Sequence, residues 1–217
     1  MKLIIFDLDG TLFRTETVDI VAINRALEEN GYKNRYKSEI LKLIGVTLDE
    51  ACISLINTKD KDVIEKLKKD IIRFEKEEVE KYGELYEGVL EGLIRLKNLG
   101  FTLCICSNGN EEYIKQISKK FNLPEIFEEI SYSDSKFTKS QRVRRIKDKY
   151  RADKFIMVGD RTSDIEAARE NDGISIGVTY GFGKDEPHQA DYIAKDFNEI
   201  ESTIEEIFKE ENLISYS

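Results

Sequence analysis

Apolar and polar positions follow two rhythms along this chain. Residues 3–6, 101–106, 155–158 and 174–178 are short uninterrupted apolar runs, the pattern of strands covered on both faces in a parallel sheet. Between them apolar residues return at helical spacing. Val89, Leu93, Leu96 and Leu99 mark a helix over 88–99 that stops at Gly100, directly before a strand. A second helix follows Asn110 and carries Tyr113, Ile114 and Ile117, and a third begins near Ser140. Alternating strand and helix predicts a doubly wound, mainly parallel, Rossmann-like α/β sheet.

Residues 15–82 depart from that rhythm, with no strand candidate and four helical segments. These run over 18–30 to Gly31, over 38–44 to Gly45, over 48–56 from a Thr47-x-x-Glu50 capping box, and over 60–82 with Val63, Leu67, Ile71 and Phe74 on one face. Connections after a strand usually take about 2–6 residues, so an insertion of this length predicts an all-helical cap domain. The catalytic core is then 1–14 plus 83–217, and the cap should move about hinges near 13–15 and 82–85.

Charge narrows the function classes. Lys and Arg number 34 against 43 Asp and Glu, a net −9 that opposes nucleic-acid and acidic-membrane partners. No apolar run approaches the ~18 residues of a membrane span, and Asp7 interrupts the first run before a secretory signal could form, so a soluble, cytoplasmic protein is expected. Cys52, Cys104 and Cys106 are expected as free thiols, the last two as core packing. His188 alone cannot build a multi-histidine metal site, and its polar loop argues against a catalytic triad. The basic stretch 142–151 carries Val143, Ile146 and Tyr150 at helical spacing and reads as a solvated helix face.

The chemistry lies where the apolar runs end. They give way to Asp7-Leu8-Asp9-Gly10-Thr11, Ser107-Asn108-Gly109 and Gly159-Asp160-Arg161-Thr162-Ser163-Asp164. Ligands of open α/β sheets bind beyond the carboxyl ends of the strands, so adjacent strands would bring four aspartates together. A hard divalent cation, Mg²⁺, relieves such crowding. A carboxylate nucleophile, a second carboxylate for proton transfer and small donors suit phosphoryl transfer. Asp7 and Asp9 share parity, Gly10 permits close approach to a phosphate, and Thr11 can fix the loop or donate to a carboxylate.

These motifs resemble those of the haloacid dehalogenase superfamily, in its phosphoglycolate phosphatase-like and β-phosphoglucomutase-like branch with a helical C1 cap. Asp7 to Leu12 is similar to its first motif, Ser107-Asn108 to its second and Gly159-Asp160-x-x-x-Asp164 to its fourth. For the third, a lysine before a helix, Lys139 is best placed and Lys136 is the other candidate. Gly88-Val89 with Leu93, Leu96 and Gly100 resembles the family segment before the second strand, although Glu87 stands where a proline is common. Gly177 to Gly183, followed by Ala190-Asp191-Tyr192, resembles the C-terminal stretch of the phosphatase branch.

The resemblance implies hydrolysis of a small phosphate monoester in two steps. Asp7 would be the nucleophile and Asp9 the general acid and base. Mg²⁺ would be held by Asp7, the Asp9 backbone carbonyl and Asp160, with Asp164 either joining through water or orienting Lys139. Phosphoryl oxygens would be held by Ser107, the Asn108 and Gly10 amides, Thr11 and Lys139. The dehalogenase branch lacks a second aspartate, present here as Asp9. A phosphosugar mutase is the alternative, but Leu48 occupies the place of the arginine that grips a second phosphate there, leaving Arg14 or Lys42 to compensate. A silent regulatory scaffold is the third reading, against which all the expected catalytic residues are present. Substrate and oligomeric state are not written in the chain.

Overall fold

The computed structural model describes residues 2–134 and 136–214. Six strands, β1 (Leu3–Phe6), β2 (Thr102–Cys106), β3 (Glu129–Ser131), β4 (Phe155–Gly159), β5 (Ile174–Val178) and β6 (Tyr192–Ala194), form one sheet in the order β3-β2-β1-β4-β5-β6. Every neighbouring pair is parallel. The central strands bury both faces, which is why they are uninterrupted apolar runs. Even positions of β1, Ile4 and Phe6, join Leu103, Ile105, Ile156 and Val158 on one face. Odd positions, Leu3 and Ile5, join Cys104, Cys106, Phe155 and Met157 on the other.

Helices cover both layers. On the even face lie α5 (Val89–Asn98), α6 (Glu111–Lys120) and α9 (Phe197–Ile214), through Leu93, Leu96, Ile114, Ile117, Ile200 and Ile204. On the odd face lie α7 (Lys139–Lys149) and α8 (Thr162–Arg169), through Val143, Ile146, Ala167 and Ala168. Each large side chain buried in these layers contributes roughly 1.5–3 kcal/mol of hydrophobic stabilisation. The strands at the two edges, β3 and β6, are too short to stand out as apolar runs. Each is three residues long, β3 is only half-buried, and β6 leaves Tyr192 and Ile193 exposed.

Residues between β1 and α5 fold into α1 (Asp19–Glu29), α2 (Lys37–Ile40), α3 (Leu48–Ile56) and α4 (Lys61–Tyr82). These helices enclose a separate apolar cluster that includes Ala22, Leu27, Ile40, Cys52, Leu55, Leu67, Ile71 and Phe74. Glu50 Oε2 accepts the Thr47 N–H at 2.9 Å, closing the capping box of α3, and Asp60 Oδ1 accepts the Asp62 and Val63 amides at the start of α4. The helix expected over 38–44 is shorter. It passes from α2 into a 3₁₀ turn, Leu41–Leu43, and Ile44 is already extended. The two connections to the sheet run side by side: the Arg14 N–H donates to Glu84 O at 2.9 Å and the Tyr86 N–H to Leu12 O at 3.0 Å. No helix among the described residues is long and apolar enough to cross a membrane.

Candidate active site

Chain reversal beside β1 determines where the site forms. From β1 the chain builds outward through β2 and β3, then returns to place β4 on the other side, so β2, β1 and β4 are adjacent. Their carboxyl ends therefore bring the loops at Asp7, Ser107 and Asp160 together, at the kind of switch point where α/β sheets bind ligands.

Asp7, Asp160 and Asp164 each present a carboxylate oxygen within 4.8 Å of the others, and all are buried. Lys139 Nζ sits 2.5 Å from both Asp7 Oδ1 and Asp164 Oδ1. Lys139 is the first residue of α7, where the helix dipole opposes a cation and the first turn carries no acid to offset it. Thr138 caps that helix through the Gln141 amide, and the two aspartates supply the compensation. Burial would lower the Lys139 pKa, but Asp164 and Asp7 outweigh it and hold the ammonium well above the ordinary lysine range. The other candidate, Lys136, is exposed, so the structure favours Lys139 as the cation beside Asp7.

Asp160 Oδ2 accepts the Phe182 and Gly183 amides at 2.6 and 3.1 Å. Its Oδ1 is buried without a hydrogen-bond partner among the described residues. Burial, with Asp7 and Asp164 adding repulsion, pushes Asp160 up to about 8. Asp164 is pushed up by burial to about 6 against the pull of Lys139, and Asp7 is raised for the same reason. An orphaned buried oxygen beside two more carboxylates is a donor set that fits a hard divalent cation.

Asp164 reaches this cluster because Gly159 has no side chain: a Cβ there would overlap the Asp164 carboxylate. Asp164 Oδ2 also accepts the Arg161 N–H at 3.0 Å, anchoring the start of α8. Gly10 has φ +79°, and a Cβ on it would come within 2.7 Å of both Asp160 Oδ2 and the Phe182 ring. Its N–H donates to Phe13 O at 3.0 Å, which corrects the expectation that this amide faces a phosphate. Thr11 is fully buried and its hydroxyl has no partner among the described residues; its N–H and carbonyl fix the turn through Leu8 O and the Tyr180 hydroxyl.

Asp9 has its own surroundings. Its Oδ1 accepts the Thr15 hydroxyl at 2.7 Å and the Tyr113 hydroxyl at 2.9 Å, and Oδ2 accepts the Ser107 hydroxyl at 3.2 Å. Burial raises its pKa, and these bonds work against the rise. Ser107 Oγ accepts the Gly109 N–H, and its loop is gripped from below. Arg142 donates to Ser107 O at 2.5 Å and to Asn108 Oδ1 at 2.6 Å. The solvated-face reading of 142–151 therefore fails at Arg142, which is 5% exposed. The four-residue step from Arg142 to Ile146, a buried helix position, is the signal that marks it as inward-facing.

Thr15, Tyr113, Arg142, Phe182 and Gly183 are the site residues that motif reasoning misses. Tyr113 sits on the apolar face of α6 and reads as core until its hydroxyl is placed. Gly181-Phe182-Gly183, a turn after β5, belongs to the stretch that resembles the phosphatase branch, but its contact with Asp160 is not legible in the sequence. Asn108 Nδ2 donates to Gly45 O at 3.1 Å, joining the second strand's loop to the helical insertion.

Known proteins are similar to this chain over most of its length. A phosphoglycolate phosphatase of Vibrio parahaemolyticus is 26% identical over 215 residues, spanning 92% of this chain and 94% of that protein. One from Agrobacterium fabrum is 30% identical over 189 residues, 83% of this chain and 81% of that protein. The crystal structure of a predicted phosphatase from Clostridium acetobutylicum superposes with a TM-score of 0.82 at 27% identity, covering 94% of this chain and 98% of that one. With the sequence pattern of haloacid dehalogenase-like hydrolases matching residues 4–178 around these aspartates, the chain belongs to that family and is a phosphoric monoester hydrolase.

Proposed function

We propose that the protein hydrolyses a small-molecule phosphate monoester through an aspartyl-phosphate on Asp7, with Mg²⁺ as its metal. The observation that carries this reading is the Lys139 ammonium bridging Asp7 and Asp164 beside the orphaned oxygen of Asp160. Asp7, Asp160 and the Asp9 carbonyl would hold the cation, and Asp164 orients Lys139. When bound, the cation supplies charge neutralisation for the phosphoryl oxygens and the crowded carboxylates.

In the first step an Asp7 carboxylate oxygen attacks phosphorus and the bond to the ester oxygen breaks, with Asp9 giving that oxygen its proton. In the second, Asp9 takes a proton from water as the water attacks the phosphorus of the acyl-phosphate. Inorganic phosphate leaves and Asp7 is regenerated. Lys139 and the Asn108 backbone N–H hold the phosphoryl oxygens as charge develops on them, joined by the Ser107 hydroxyl when it turns from Asp9. Burial raises the Asp9 pKa while the three hydroxyls that donate to it favour the ionised form, opposing influences that suit a carboxyl giving a proton in one step and taking one in the next.

Residues 15–82 act as a lid on the core formed by 1–14 and 83–217, hinged at the paired connections around Arg14 and Glu84. The lid excludes water while Asp7 is phosphorylated. The mutase alternative lacks a cation in the right place. Leu48 lines the cavity beside Asp9, Arg14 is tied to Glu16 and Glu84, and Lys42 lines a neighbouring cavity with Arg161 and Lys184. Phosphoglycolate, the substrate in the relatives' name, is one candidate. The test is phosphate release from a panel of small phosphorylated metabolites, with and without a chelator. Mg²⁺-dependent turnover supports the reading, and full turnover in excess chelator overturns it.

A further inference from the structure

The cavity that opens from Asp9 toward the helical insertion is where a leaving group would sit. It is lined by Ile23, Ile40, Leu43 and Leu48 on its apolar side and by Asp9, Asp19 and Glu75 on its polar side. Among the described residues, no lysine, arginine or histidine lines it. Its volume is about 50 Å³, which at ~10–15 Å³ per water-sized occupant is room for a group of a few heavy atoms.

The two carboxyls of the insertion are under-partnered. Glu75 is 4% exposed and among the described residues receives one long hydrogen bond, from Asn110 Nδ2 at 3.4 Å. Asp19 Oδ1 is buried with no hydrogen-bond partner among the described residues. Asp19 lies in the first turn of α1, where the dipole favours an anion. That placement accounts for an acid at the position, but not for a buried oxygen left without a donor in the wall of a cavity. Buried acceptors without donors cost stability, about 1–3 kcal/mol for a neutral group and more for a charged one. Such a cost persists where a ligand supplies the missing donors.

We infer that Asp19 and Glu75 select a phosphate monoester whose leaving group bears hydrogen-bond donors, hydroxyl or ammonium, and no second anionic group. The inference rests on the phosphatase reading and names the substrate class for that same site. An anionic leaving group finds no cation among the described residues of the wall and can bind only while Asp19 and Glu75 both keep their protons. An ammonium instead draws these acids into the ionised form and pairs with them. A donor-bearing leaving group satisfies the orphaned Asp19 oxygen and adds to the one long bond at Glu75. The chain thus departs from the specificity named for its phosphoglycolate phosphatase relatives.

The test is an isosteric series assayed on the full chain with Mg²⁺: 2-hydroxyethyl phosphate, 2-aminoethyl phosphate and phosphoglycolate, with acetyl phosphate as a phosphoryl donor of minimal leaving group. The expected result is kcat/KM at least tenfold higher for the hydroxyl or the amino compound than for phosphoglycolate. In Asp19→Asn/Glu75→Gln that ratio should fall toward one. The amino arm alone should suffer if charge pairing dominates, and both arms if donation does. A wild-type ratio at or below one, or a ratio that the double substitution leaves unchanged, overturns the inference while the phosphatase reading stands. No hydrolysis of any of the four, acetyl phosphate included, overturns the phosphatase reading and the inference with it.

Discussion

The core and the helical insertion each gather carboxyls, and the two groups are handled in opposite ways. In the core, Asp7, Asp160 and Asp164 share Lys139, two backbone amides and a helix start. In the insertion, Glu75 accepts one long bond from the Asn110 side-chain amide and Asp19 Oδ1 has no partner among the described residues. Both groups are raised in pKa chiefly by burial. Asp160 and Glu75 each rise to about 8, and Asp19 goes well above its ordinary range with Glu75 and Asp9 adding to the effect. Compensation inside the fold pre-organises the core acids for chemistry, whereas its absence in the insertion leaves a demand that a ligand can meet.

Removing the core nucleophile should have the largest effect. Asp7→Asn should lower turnover by at least ~10⁴-fold with the fold retained. Asp9→Asn should instead accumulate a hydroxylamine-sensitive acyl-phosphate on Asp7 when the leaving group is activated, detectable by intact-protein mass. A phosphoenzyme on the Asp7 variant would reverse these roles.

The compensating cation comes next. Lys139→Ala should cost on the order of 10²–10³ in kcat, and Lys136→Ala, at an exposed position, should keep most of the activity. Arg142→Ala tests the support beneath Ser107 and Asn108, and is expected to lower stability by about 2 kcal/mol through two lost charge-assisted bonds. Equal activity losses for the two lysine variants would show that the pairing with Asp7 has no chemical consequence.

Stability against pH separates the two acid groups. A carboxyl whose folded pKa is raised holds its proton in the fold where the unfolded chain has released it. Its contribution is therefore complete below its ordinary value and is lost as pH climbs through the folded value. Asp160 and Glu75 rise from 3.8 and 4.5 to about 8, so the metal-free protein should melt progressively lower from about pH 5 to about pH 8.5. Saturating Mg²⁺ should remove the part due to Asp160 and leave the part due to Glu75, which Glu75→Gln should then flatten. A melting temperature that rises across this window in chelator would contradict both burials.

The smallest effect is expected at the lid connection. Arg14 pairs with Glu84 at 2.8 Å on side chains that are 42% and 58% exposed. Arg14→Ala should change stability by less than ~1 kcal/mol, measured by denaturant titration, because water and salt screen such pairs. A larger loss would mean that the hinge is held by charge as well as by its backbone hydrogen bonds.

The central strands and the helices of the insertion were legible because their rhythm is local. Residues 3–6 and 174–178 match β1 and β5, and 48–56 matches α3, since burial on both faces or a capping box leaves its mark on neighbouring positions. The edge strands were not, because three half-solvated residues such as Glu129-Ile130-Ser131 carry no periodicity. Asp7, Asp9, Asp160 and Asp164 were visible as polar breaks after apolar runs, and Lys139 as a lysine at a helix start.

What the chain determined alone is which side chains stand at the strand ends, since parity and turn residues are properties of adjacent positions. Only the tertiary structure decided their company. Tyr113 and Thr15 on Asp9, Arg142 under the Ser107 loop, and the Phe182 and Gly183 amides on Asp160 come from segments distant in sequence. Which of them meet depends on strand order and on where the insertion folds back. The opposition of Asp19 and Glu75 across one cavity has the same origin: each is an ordinary acid on an amphipathic helix until α1 and α4 pack together and leave them few donors.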